Sequence, residues 1–579
     1  MTPPKAPRRS ARSDGGDVPA SPPTPPQIIA PRLLTDLIDA AVRDHAGRPA
    51  IDFLGRRWSY AEIGAMVDRA AAGLQAMGVG PGVRFGLCLP NSPYFVVLYF
   101  AALRCGATIV NFNPLYVEHE LKHQIRDSGT TVMAVIDVAS IHAKVAAIAE
   151  ESGLERIIVC PMAEILPPLL SILYRLFKRG EIARWPRDRR HIAFADIAAD
   201  GARFRPVPLS PDDVAVLQYT GGTTGVPKGA MLTHANLTAN SRQMILHVAR
   251  TDRAGHHGQD RIMGVLPMFH VFALTTVLDF SVDTAALMIL LPRFELKQFL
   301  KTAKRTRPTK LLAVPTMLTA INKAATERPI HFDDLDFCVS GGAPLPFDVR
   351  AEFERLTGAR VVEGYGLSET SPILTCNPCE GEVKDNSAGP AFPGTTIEIR
   401  SLDDPHVVLP VGQRGEVCAR GPQVMKGYWN KPEETGKVFV DGAIRTGDVG
   451  YLDQDGYLFL VDRIKDVIIC GGYNVYPRVI EEALYEHPAV LEAVVIGVAD
   501  EYRGQAPKAF IVLRPGQEID VEALHEFLKT RISKIEMPRD IEIRATLPKT
   551  LIGKLSKKEL VAEEKARSAA GSELNNGQG

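Results

Sequence analysis

Gly221, Gly222 and Gly225 stand among Thr220, Thr223 and Thr224, with Lys228 close behind, in the stretch Tyr219–Ala230. Glycines let backbone N–H groups turn toward a ligand, and the hydroxyls and ammonium add donors where no carboxylate is present. That donor set suits a polyanion such as a triphosphate. The spacing excludes a Walker loop, which needs Gly-Lys followed at once by Ser or Thr; here Pro227-Lys228-Gly229-Ala230 has neither. A plain glycine-rich surface turn is the competing reading, but such turns seldom join hydroxyls, a lysine and a flanking apolar run.

Further along, Val339-Ser-Gly-Gly-Ala-Pro-Leu345 and Val361-Val-Glu-Gly-Tyr-Gly-Leu-Ser-Glu-Thr370 each end an apolar run in glycines. Both are expected to be strands whose loops open at one sheet edge. Tyr365, between Gly364 and Gly366, is read as free to lay its ring on a planar base. Glu369 supplies the hard oxygen that a Mg²⁺-bound phosphate needs; a capped turn built on Ser368 and Thr370 is an equal alternative. Asp448, in Ile444-Arg-Thr-Gly-Asp-Val449, is a carboxylate at a turn, able to accept from two vicinal ribose hydroxyls. Arg463 suits the ribose or phosphate side, and Gly471-Gly472 admits close backbone approach. Taken alone, Asp462, Arg463, Lys465 and Asp466 read better as a solvated linker with surface pairs. Lys554, after Gly553 and before a helical pattern, can reach outward, although a lysine in so charged a segment is usually plain surface. His270 falls at a strand-to-helix corner expected after a strand ending at Pro267, and a histidine among apolar residues is more often a core group than a base.

The elements that must position these groups follow from periodicity. Asp213–Tyr219 reads as a buried strand, and Met231 to about Val248 as a helix entered through Thr233. From Leu33 to Gly129 helices alternate with short strands, which implies a sheet covered by helices on both faces. From Lys465 onward a short strand, a helix at Pro477–Tyr485, two strands and a further helix make a compact α+β unit of plausible domain size. The fold class is therefore α/β, with a large N-terminal domain of helix-covered sheets over 28–464 and a small mobile α+β C-terminal domain over 465–565. Residues 1–27, rich in proline with Arg8, Arg9 and Arg12, and residues 566–579 are expected to be disordered tails.

The chain has 579 residues, 45% hydrophobic and 23% charged, which calls for more than one core. Its formal net charge of −1 gives no electrostatic footprint for nucleic acid. Eight cysteines without framework spacing suit a reducing compartment, so a cytoplasmic location is expected. Cys376 and Cys379 are read as members of a loop in preference to zinc ligands. The longest apolar stretch, Val271–Leu291, is interrupted by Asp279 and Asp283 and reads as a buried helix and a core strand. Residues 165–190 are different. An apolar run broken by Pro167 and Pro168 leads into Arg175, Lys178, Arg179, Arg184, Arg187, Arg189 and Arg190. This is the composition of a segment lying in a membrane interface, with peripheral attachment to the inner face as its consequence; a helix packed on its own domain is the alternative.

In their order, the loop at 219–230, Gly-Tyr-Gly-Leu-Ser-Glu-Thr at 364–370, Thr-Gly-Asp at 446–448, Asp-Arg-Ile-Lys at 462–465 and Pro-Lys-Thr with Gly-Lys at 548–554 resemble the motif set of the adenylate-forming superfamily. Acyl-CoA synthetases, luciferase and peptide-synthetase adenylation domains belong to it. The resemblance spans about 30–565, and Leu266–Leu274 with Gly341-Gly-Ala-Pro is similar to the bacterial long-chain fatty-acid–CoA ligase branch. It implies ATP, CoA and a fatty acid as substrates and Mg²⁺ as cofactor, held by Thr220 and Glu369. It implies catalytic roles for Lys228, Glu369 and Lys554. Nucleotide contacts would come from Thr220–Gly225, Gly342, Ala343, Pro344, Glu363, Gly364, Tyr365, Gly366, Ser368, Asp448 and Arg463. His270 and Gly341 would bind the acyl group, Lys465 would be the hinge, and Gly471, Gly472 and Asn474 would face CoA. A dicarboxylate or aryl acid as substrate, or a carrier-protein thiol as acceptor, remains open.

Overall fold

The computed structural model describes residues 29–186, 188–199, 203–220, 227–248, 258–327, 330, 332–471, 473–500, 502–549 and 555–576. Among these, four sheets carry the chain. A seven-stranded sheet is built on parallel strands that include Arg84–Cys88, Thr108–Asn111 and Thr130–Ile136, and it ends in the hairpin of β1 (Val214–Thr220) and β2 (Lys228–Thr233). An eight-stranded sheet orders Ile373–Cys376, Arg360–Gly366, Phe337–Gly341, Lys310–Ala313, Arg261–Gly264 and Leu287–Leu290, then Pro49–Phe53 and Arg56–Ser59. Its six inner strands pair in parallel, and both their faces are covered, which is why sequences such as Leu-Met-Ile-Leu290 are apolar throughout. The apolar helix Pro93–Arg104, buried from Pro93 through Leu103, packs in the same core.

A six-stranded antiparallel sheet containing Gly415–Arg420, Ala443–Leu452 and Tyr457–Arg463 leans on that body. After the short turn Ile464–Asp466 comes a five-stranded sheet with its own apolar core, in which Val490–Asp500 and Gly504–Leu513 pair along their whole length. The α/β architecture of large and small parts expected from the sequence is the one observed.

Four expectations need correction. The segment expected to open a helix at Met231 is a strand through Thr233, and the helix is His234–Val248. Met231 is held on both sides, by Leu217 across the hairpin and by backbone bonds to Gly427 and Lys426. The strand before His270 stops at Gly264, because buried Asn91 takes the next groups: its amide donates to the carbonyls of Gly264 (3.2 Å) and Leu266 (2.8 Å) and accepts from the Met268 N–H (2.7 Å). Cys376 is the buried last residue of a strand and not part of a loop. The last helix runs Lys557–Asn576, through residues expected to form a tail, as its run of Ala, Glu and Lys favours. Residues 1–28 and 577–579 lie outside the described residues.

Candidate active site

The hairpin brings Thr220 opposite Lys228, so the two ends of the glycine–threonine turn are fixed by strand pairing. Gly221, Gly222, Thr223, Thr224 and Gly225 lie outside the described residues. Residues 427–429 continue the sheet beyond β2: Ala230 bridges Tyr428, and Trp429 N–H donates to the Gly229 carbonyl at 2.8 Å. This places the Tyr428 ring 5.2 Å from the Lys228 ammonium. The Tyr428 hydroxyl in turn donates to Glu369 Oε1 at 2.7 Å. Lys228 also pairs with Glu434, whose carboxyl is held down to about 2 by Lys228 and Lys437. Lysine, tyrosine and Glu369 thus form one cluster at the mouth of the hairpin, on which the turn Ser368–Thr370 packs. The sequence singled out Lys228 and Glu369 but missed Tyr428 and Glu434.

Strands Phe337–Gly341 and Arg360–Gly366 run in parallel with Gly341 opposite Gly364, so their loops do open at one edge. Gly342 has φ +82, a left-handed conformation that suits glycine, and it turns the chain into Ala343-Pro344. Leu345 N–H then donates to Glu363 at 3.1 Å. Burial pushes the Glu363 carboxyl up to about 7, partly offset by that N–H bond and by Arg478. Gly366 is demanded by packing, since a Cβ there would stand 1.8 Å from the Pro372 carbonyl oxygen.

Tyr365 is anchored through its hydroxyl. It is half-buried against apolar residues of the neighbouring sheet, and its hydroxyl donates to Asp448 Oδ2 at 2.6 Å. The other carboxylate oxygen of buried Asp448 meets Arg463 Nε at 3.0 Å. The two come from paired strands, with Asp448 opposite Arg463 in register. The solvated-linker reading therefore fails for this pair. It fails for Asp462 too, which is buried and accepts the N–H groups of Arg463 and of Arg478, both at 2.7 Å. Glu369 lies within electrostatic reach of Arg463, so the hairpin cluster and the Tyr365–Asp448–Arg463 cluster are neighbours.

His270 caps the short helix Val271–Ala273, its Nδ1 accepting from Phe272 N–H at 3.3 Å. The Phe272 ring lies 3.0 Å from where a Cβ on Gly341 would be, so this glycine makes room for that ring. Two residues earlier on the same strand face, Val339 lines a narrow apolar crevice of about 40 Å³ with Met244, Ile262, Thr276, Leu312 and Phe392. Phe272, Asn91 and this crevice were not foreseen; each acquires its role through contacts far apart in sequence.

Lys465 lies in the turn Ile464–Asp466 between the two parts, where partial desolvation and the neighbouring Arg463 charge hold its ammonium below the usual lysine range. Gly471 has φ +58 at a hairpin tip, while Asn474 belongs to strand Tyr473–Val475 and pairs with Ile469. Gly472 and Lys554 lie outside the described residues; the flanking Lys549 and Leu555 form an antiparallel bridge. Among the described residues no group of three or more His, Cys, Asp or Glu could hold a metal, and no helix is long and apolar enough to cross a membrane.

The AMP-binding enzyme family matches residues 38–429, and the AMP-binding enzyme C-terminal domain matches 479–554. A long-chain-fatty-acid–CoA ligase of Bacillus subtilis is 39% identical over 536 residues, covering 92% of this chain and 94% of that protein. A feruloyl-CoA synthase of an Amycolatopsis species is 35% identical over 508 residues, covering 87% and 94%. Among solved structures, ATP-bound MatB from Rhodopseudomonas palustris superposes with a TM-score of 0.78 at 31% identity, covering 91% of this chain and 98% of that one. The paired strands, the glycine-gated edge and the two matched segments lead to one conclusion: the chain belongs to the AMP-binding enzyme family of the adenylate-forming superfamily and is an acid–thiol ligase.

Proposed function

We propose that this ligase joins long- or medium-chain fatty acids to CoA through an acyl-adenylate. The observation that carries the reading is Asp448. An ionised carboxylate offers about four acceptor sites, of which Tyr365 and Arg463 use one each. The remaining sites suit the two hydroxyls of a ribose. The curated relatives named long-chain-fatty-acid–CoA ligase support the acid, and so does the apolar lining of the crevice beneath Gly341. The crevice must widen to admit a chain, and rearrangement of Phe272, which packs against Gly341 two residues beyond Val339, would open space on that strand face.

In the first step the carboxylate oxygen of the acid attacks the α-phosphorus of ATP; the new O–P bond forms as pyrophosphate leaves. Anions must come together, so the chain supplies donors: Thr220, the turn at 221–225 and Lys228 on the phosphates, and Lys554 at the reacting oxygens. Glu369, a carboxylate beside Lys228 and hydrogen-bonded by Tyr428, fits the habit of Mg²⁺ to take one or two protein carboxylates and complete its shell from phosphate and water. When bound, Mg²⁺ neutralises charge on the phosphate oxygens. In the second step the CoA sulfur attacks the acyl carbon, AMP leaves with the bridging oxygen, and the thiol proton passes to solvent. Rotation about Lys465 would withdraw Lys554 and bring up the hairpin at Gly471, Gly472 and Asn474. The short turn at 464–466 and the separate core of the C-terminal part support a boundary there.

An AMP-release assay across acids from acetate to oleate, with aryl and dicarboxylic acids included, tests the reading. Fastest turnover with long or medium chains supports it. A preference for an aryl acid, which the feruloyl-CoA synthase relative favours as the second reading, would replace the substrate and keep the chemistry.

A further inference from the structure

Helix Pro168–Phe177 has no buried residue, yet it is among the most apolar segments of the chain. Leu169 is 69% exposed, Ile172 57%, Leu176 67% and Phe177 79%, with Leu170 and Leu173 also exposed. At 100° per residue these six side chains occupy one continuous arc of about 160°. The opposite side is turned to the protein, where Tyr174 packs on the main core. The amphipathicity is therefore inverted relative to an ordinary surface helix: the apolar face looks outward.

What surrounds it is basic. Between 175 and 190 the described side chains include Arg175, Lys178, Arg179, Arg184, Arg189 and Arg190, against only Glu181 and Asp188. Glu181 is paired with Lys178 and Asp188 with His191. At the start of the helix, Pro167 and the Arg305 guanidinium, the latter paired with buried Asp52, both lie 4.0 Å from where a Cβ on Gly55 would stand. The helix Leu296–Thr306 that carries Arg305 also exposes Lys301 and Lys304. An apolar wedge is thus set in a cationic rim.

We propose that this helix and the basic segment after it dock the protein on an anionic bilayer, the leucines entering the acyl boundary while the arginines and lysines meet phosphate-bearing headgroups. Charge decides between occupants. A second copy seated on the same face would press one cationic rim against another. The N-terminal residues 1–28 hold Lys5, Arg8, Arg9 and Arg12 and no apolar run, so they complement neither the wedge nor the rim. A negatively charged lipid surface complements both.

The test is co-sedimentation of the full chain with vesicles of phosphatidylcholine, with and without a large share of phosphatidylglycerol, as salt is raised. The protein should pellet with the anionic vesicles and less with neutral ones. Leu169→Glu with Leu176→Glu should lower the partition about tenfold or more, and Arg175→Gln with Lys178→Gln and Arg179→Gln should lower it and flatten its salt dependence. Both exposed-site variants should keep the wild-type melting temperature, which separates lost docking from lost folding. Three results would overturn the proposal: no uptake by either vesicle, uptake by anionic vesicles that the leucine variant leaves unchanged, or a wild-type dimer that the leucine variant dissociates without any vesicle binding. The readout is binding, so it stands whether or not the fatty-acid reading holds.

Discussion

Replacing Asp448 by asparagine separates nucleotide binding from folding. The amide keeps the size of the side chain, and its oxygen can still accept the Tyr365 hydroxyl, which now sits 2.6 Å from the carboxylate. Arg463 loses its ionic partner, but its side chain is 50% exposed and can turn its freed N–H to water, a modest cost in stability that the melting curve reads separately. The change at the ligand is larger. One carboxylate oxygen becomes a donor, so at least one ribose hydroxyl loses a charge-assisted acceptor, roughly 1.5–3 kcal/mol. At 1.4 kcal/mol per factor of ten, KM for ATP should rise by about tenfold to about 150-fold. Steady-state AMP release at varied ATP, with a melting curve on the same preparation, reads both quantities. An unchanged KM for ATP in a protein of unchanged melting temperature would refute a ribose contact at Asp448.

Lys554→Ala should lose acyl-adenylate formation by orders of magnitude and still convert supplied acyl-adenylate and CoA to thioester; equal loss in both half-reactions would contradict its placement at the reacting oxygens. Asn91→Ala strips partners from the buried Met268 N–H and Leu266 carbonyl. It should cost about 2–4 kcal/mol in urea denaturation and raise KM for the acid, because the corner carrying His270 loses its clamp. Glu363, raised from 4.5 to about 7 by burial, binds a proton in the folded protein across a range where the unfolded chain has released it. Its contribution to stability is therefore full below 4.5 and declines as pH rises to about 7. The fall in melting temperature between mildly acidic and neutral pH should accordingly be smaller in Glu363→Gln than in the wild type.

Much of the scaffold is written in local patterns. Val214–Thr220 was legible because a strand covered on both faces is largely apolar along its length, and the alternation of helices and strands after Leu33 because its apolar runs recur at helical and strand lengths. Lys228–Thr233 was not, since Lys-Gly-Ala-Met-Leu-Thr has no strand alternation and it is held as a strand between β1 on one side and residues 427–429, some two hundred residues on, at the other. The site divides in the same way. Asp448, Tyr365 and Glu369 stand in short motifs that can be read in place. Tyr428, Glu434 and Asn91 carry no local mark, and only the fold sets the Tyr428 hydroxyl against Glu369 or the Asn91 amide against the 264–268 corner. For helix Pro168–Phe177 composition was visible but direction was not. That its apolar side faces outward follows from Tyr174 being the side chain that packs inward.

The central claim is that the acid's own oxygen becomes bonded to the α-phosphorus of ATP. Turnover with a long-chain acid labelled with oxygen-18 in its carboxylate, followed by mass spectrometry of the products, addresses that bond directly. An acyl-adenylate route yields AMP carrying one labelled oxygen and pyrophosphate carrying none. Unlabelled AMP, or label appearing in inorganic phosphate, would contradict it.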